Sequence, residues 1–108
     1  MDIKYDINIT ESAQKDLESI YIYISENLLE DETAINLISE IKEKIFSLES
    51  MPGRYALVND FPLAKMGYRH IKVKNYIIFY LIDEKKKTVT IARIIHGRMN
   101  YAEYLISD

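Results

Sequence analysis

Cysteine and tryptophan are absent from this chain of 108 residues, and there are only two histidines, two prolines and three glycines. Without cysteine there is neither a disulfide nor a thiolate metal site, which fits a reducing compartment. Two histidines far apart in sequence, His70 and His96, do not supply an ordinary zinc ligand set, so no metal and no cofactor are expected. No apolar run approaches the roughly twenty residues that a membrane span needs. The first residues also lack the basic start and apolar core of a signal peptide, so the reading is a cytoplasmic protein with no membrane partner. So little glycine and proline, with 48% hydrophobic residues, argues against disorder. One domain over residues 1–108 is expected, large enough to remove roughly two thirds of its unfolded surface from water.

Charge is plentiful but unevenly placed. Residues 1–50 hold four Lys/Arg against twelve Asp/Glu, whereas residues 51–108 hold ten against five, so the net charge of -3 conceals an acidic half and a basic half. That division predicts basic side chains converging on one concave surface that meets an anionic partner, nucleic acid or acidic protein, with acidic helices turned away behind it.

Periodicity supplies the elements. Ile3, Tyr5, Ile7 and Ile9 alternate with polar residues, as in a half-buried strand. Thr10 is an N-cap for a helix over about residues 11–28, whose stripe is Ala13, Leu17, Ile20, Ile24 and Leu28. After the polar break at Glu30-Asp31, a second helix carries Ala34, Leu37, Ile38, Ile41, Ile45 and Leu48, giving an antiparallel helical hairpin. Met51-Pro52-Gly53 ends it, with Gly53 taking the left-handed backbone. An irregular loop is expected from there to Gly67. Three antiparallel strands follow: one beginning near Tyr68, a central one at 76–82 that is apolar on both faces, and one at 88–95. In the last, alternation groups Val89, Ile91, Arg93 and Ile95 on one face. A short helix with Tyr101 and Tyr104 closes the chain. The fold class is therefore α+β, an antiparallel sheet of about four strands with an N-terminal helical hairpin on one face and a short C-terminal helix.

This order of elements resembles the RelE/ParE superfamily of small bacterial toxins. The more specific parts are the spacing Ala13, Leu17, Ile20, Ile24, then Leu48 and Pro52, then Gly67-Tyr68-Arg69, the strand Tyr76-Ile77-Ile78-Phe79-Tyr80, and the tail Ile91-x-Arg93-Ile94-Ile95-His96-Gly97-Arg98. The resemblance implies the toxin of a type II toxin-antitoxin pair, neutralised by a cognate antitoxin that wraps it. It also implies one of two targets, DNA gyrase in the ParE-like branch or ribosome-bound mRNA, cleaved without metal, in the RelE-like branch.

Metal-free RNA cleavage needs a base, cations for the pentacovalent phosphate and an acid for the leaving oxygen. If the chain is RelE-like, the resemblance assigns these tasks to Lys72, Arg98 and Tyr104. Arg69, His70, Lys74, His96 and Tyr101 are the further candidates for target or phosphate binding. A plainer reading of Lys72 and Lys74 is a solvated strand face that blocks edge pairing. Arg93, among apolar neighbours, calls for a structural partner. Tyr21 and Tyr23 point to different sides of their helix and read as packing or antitoxin contacts. Tyr76 stands where the nucleases carry a further arginine, a net charge of -3 suits ribosomal RNA poorly, and the tail resembles the ParE-like branch. The reading is therefore a ParE-like binding toxin, with the nuclease and a degenerate binding module as alternatives.

Overall fold

The computed structural model describes residues 3–106. In chain order these form β1 (Asp6–Ile9), α1 (Glu11–Ile22), a π turn (Tyr23–Asn27), α2 (Asp31–Ser47), a 3₁₀ turn (Pro52–Arg54), α3 (Phe61–Lys65), β2 (Arg69–Val73), β3 (Tyr76–Asp83), β4 (Thr88–His96) and α4 (Tyr101–Ile106). The sheet order is β1-β4-β3-β2. The α+β fold is as expected, with one correction. While β2, β3 and β4 are antiparallel, β1 joins β4 in parallel, so the sheet is mixed. Alternation reports which face a strand buries but not which way its neighbour runs. Parallel pairing needs a long crossover, and the helical hairpin together with β2 and β3 provides one.

Thr10 starts α1 as the cap residue, its hydroxyl accepting from the Ala13 N–H at 3.1 Å. The same hydroxyl donates to the Ala92 carbonyl at 3.0 Å, so the cap also fixes the helix to β4. The expected stripe holds through Ile24, but the π turn carries one extra residue per turn and rotates the side chains beyond it. Leu28 is consequently 49% exposed and not part of the core. Helices α1 and α2 cover one face of the sheet, where Ala34, Ile41, Ile45, Leu48, Ile78, Tyr80 and Ile91 are wholly buried. A second cluster fills the other face, with Leu63, Tyr68, Phe79 and Ile95 under α3 and α4. Strand β3 is thus covered on both sides, as its double-faced apolar sequence demands.

Three further expectations are corrected. The segment between α2 and β2 is not irregular: Asp60 caps α3 by accepting from the Leu63 N–H at 3.1 Å, and Leu57 bridges to Arg69. The left-handed residue after α2 is Met51, φ 48°, rather than Gly53. Finally, β4 bulges at Ala92, because Phe79 faces Arg93 while Tyr80 faces Ile91. An extra residue reverses the side-chain alternation beyond it. Ile94 therefore joins Val89 and Ile91 on the helix side, and Ile95 lies on the other.

Candidate functional site

Among the described residues, the outer edge of β4 beyond Ile9 has no strand beside it, and side chains of α1 take the place of one. Asp16 accepts from the Ile94 N–H at 2.9 Å and from Arg93 Nε and Nη2 at 2.7 Å each. The guanidinium is thereby held flat and paired, which answers why an arginine stands in an apolar strand, and the Asp16 hydrogen bond raises its pKa further. Tyr104 of α4 lies on that guanidinium, 5.2 Å from ring centre to carbon.

This triad floors one end of a groove of about 790 Å³ between the hairpin and the end of the sheet where β3 begins and β4 stops. One wall is helical, with Ile20, Tyr23, Leu28 and Glu40, and the other is made by Lys74, Tyr76, His96 and Met99. Its lining surface is mostly apolar, although Asp16, Glu40, Lys74, Arg93 and His96 all contribute to it. The hairpin contributes two carboxylates to the groove, Asp16 and Glu40; the helices are its second wall and are not turned away behind the basic surface. At the rim, Lys74 adopts φ 54° in the β2–β3 turn. His96 packs edge-on against Tyr76, centroids 5.3 Å apart. Its Nδ1 accepts from the Arg98 N–H at 3.1 Å, which leaves the ring proton of the neutral form on Nε2. Gly97 passes close to the turn, donating its N–H to the Asn75 carbonyl at 2.8 Å.

The remaining candidates are dispersed. Exposed Lys72 lies on β2 opposite Ile77. At the other end of β2, Arg69 donates to the Tyr55 carbonyl at 2.6 Å and His70 Nδ1 is 3.2 Å from the Ala56 carbonyl. Tyr101 stacks on Phe79, centroids 5.0 Å apart, while its hydroxyl accepts from the Asp60 N–H at 3.0 Å. Arg98 is exposed, and among the described residues its guanidinium has no carboxylate partner. The single concave cationic surface is therefore not formed: Lys74, Arg93 and His96 share the groove, with Arg98 between its lining residues His96 and Met99, and Arg69 and Lys72 stand apart. The sequence reading missed Asp16, Leu28 and Met99 as parts of the site. Only the π turn exposes Leu28, and no sequence signal marks that turn.

The profile described as "ParE toxin of type II toxin-antitoxin system, parDE" matches residues 7–101. The chain belongs to the ParE toxin family. Among solved structures it is similar to the chromosomal ParDE system from P. aeruginosa, with 21% identity and a TM-score of 0.70, covering 86% of this chain and 96% of that one. A toxin-antitoxin complex, RelBE2 from Mycobacterium tuberculosis, gives 22% identity and a TM-score of 0.63 over 87% and 92% of the two chains. A double mutant of the E. coli toxin RelE in the free state gives 14% and 0.67 over 94% and 93%. At these identities the likeness shows a shared fold. No curated protein matches the sequence. No helix among the described residues is long and apolar enough to cross a membrane.

Proposed function

We propose that this ParE-family toxin arrests growth by binding its target, DNA gyrase, without catalytic turnover, and that a cognate antitoxin neutralises it. The observation that carries the reading is the position of Tyr104. Its ring rests on a guanidinium already paired to Asp16, while Lys72 lies on β2 with β3 between, about 10 Å of sheet away. A base, a cation and an acid meant to act on one phosphate must reach it together, and a Tyr104 ring engaged by an already paired guanidinium favours binding over turnover. The groove instead combines apolar surface with charged and polar groups, as a protein-docking site does. It suits an antitoxin segment with an apolar stripe, and Arg98 remains available for a carboxylate or phosphate of the target.

The test is a pair of assays on the chain expressed and purified apart from its antitoxin. Inhibition of gyrase-catalysed supercoiling, with no new 5′ ends in cellular mRNA by primer extension, is the expected result. New in-frame cuts in mRNA with supercoiling untouched would establish the nuclease reading in its place. Unimpaired growth on expression without antitoxin would point to a degenerate module.

A further inference from the structure

On the side of α1 away from the groove, the hairpin carries a second apolar strip. Tyr21 and Ile38 line one end of a shallow furrow between α1 and α2, and Gln14 and Phe46 line the other. Phe46 is 50% exposed, Tyr21 38%, and Ile35, one turn before Ile38, 53%. Midway along the furrow stand Glu18 on α1 and Lys42 on α2. Both are exposed, and among the described residues neither has an ion-pair partner.

We propose that this flank is a homodimer interface, in which two copies pack about a two-fold axis parallel to the helices and form an antiparallel four-helix bundle. Self-association requires a surface complementary to itself. Rotation about that axis lays α1 of one copy over α2 of the other, so Glu18 meets Lys42 twice and Tyr21 packs on Ile38. Rotation about the perpendicular in-plane axis would set Glu18 against Glu18 and Lys42 against Lys42. The charges therefore select one arrangement, and both copies use the same strip.

Size sets the strength. The seventeen residues of α2 span about 25 Å, and two adjacent helices about 20 Å, so each copy contributes roughly 500 Å². That is at the small end for specific interfaces, where weak or transient association is found. Because the strip and the groove lie on different sides of α1, dimerisation goes beyond the antitoxin and gyrase reading and does not depend on it.

Sedimentation equilibrium of the purified chain from about 1 to 200 μM reads the proposal directly. The average mass rises from 12.7 kDa toward twice that value. Phe46→Glu stays at the single-chain mass throughout, with an unchanged thermal melt and undiminished antitoxin capture. Should Phe46→Glu melt early, Ile35→Glu is measured in its place. Glu18→Lys weakens association about tenfold by opposing like charges, and adding Lys42→Glu restores it. A wild-type mass fixed at 12.7 kDa, a Phe46→Glu protein that still dimerises, or a double swap that recovers nothing overturns the arrangement. So does loss of antitoxin capture in Phe46→Glu, which would assign the strip to that partner.

Discussion

Arg93 and Asp16 meet through two parallel hydrogen bonds of 2.7 Å, with the guanidinium side chain 24% exposed and the carboxylate 13%. The carboxylate also holds the Ile94 N–H, so a single side chain ties α1 to β4 and, through the guanidinium, to Tyr104. Asp16→Ala leaves a half-buried cation without its counter-charge and a backbone donor without an acceptor. A loss of about 2–4 kcal/mol is expected, read as a fall of roughly 10 °C or more in the melting temperature. An unchanged melt would show the pair to be marginal.

Tyr80 lies wholly inside, and its hydroxyl donates to the Pro52 carbonyl at 2.6 Å. Burial pushes its pKa from 10 up to about 12. The folded state therefore holds the phenol proton more tightly than the unfolded chain does. The stability this contributes is complete below pH 10 and disappears as pH rises from 10 through about 12. In urea titrations, Tyr80→Phe should cost about 1 kcal/mol at neutral pH and shallow the alkaline decline. An alkaline decline as steep as in the wild type would place its origin elsewhere.

α4 is held by the stacking of Tyr101 on Phe79 and by the hydroxyl that receives the Asp60 N–H. Tyr101→Ala is expected to release the helix, with faster amide exchange over residues 101–106 and a loss of about 1–3 kcal/mol. Tyr101→Phe keeps the ring and should lose only about 1 kcal/mol. Equal effects of the two would argue against the stack.

Arg98 is exposed and without a carboxylate partner among the described residues, so Arg98→Ala should melt like the parent and relieve growth arrest. Folded, fully toxic Arg98→Ala protein would remove it from the target contact.

The features legible in the sequence were local. The Thr10 cap and the Leu17, Ile20, Ile24 spacing are written within one or two turns, and the double-faced apolar run of β3 announced a covered central strand. The bulge at Ala92 was not legible, since alternation reads smoothly from Val89 to Ile95 and the slip exists only against Phe79 and Tyr80 on the neighbouring strand. Its effect was to misassign Ile94 and Ile95. The direction of β1 likewise depends on pairing with residues eighty positions later. α3 did have a signal, the cap residue Asp60 followed by Pro62 in the first turn. The need of Arg93 for a partner could be argued from its neighbours, but Asp16 could not be named, because hairpin and strand are brought together only by the tertiary fold. For the same reason charge counting found the basic half without revealing that the acidic helices would form the facing wall.

The partners of Ile7 and Ile9 are Val89 and Ile91, so the first strand waits until about eighty further residues have been made before it can pair. At about 5–20 residues per second, the amino-terminal hairpin is exposed for several seconds before the sheet can close, and closure across so long a loop is intrinsically slow. A nascent chain in that interval has no finished groove and no seated Arg93. Anything that recognises the finished groove must therefore wait until β4 has been made and seated against β1.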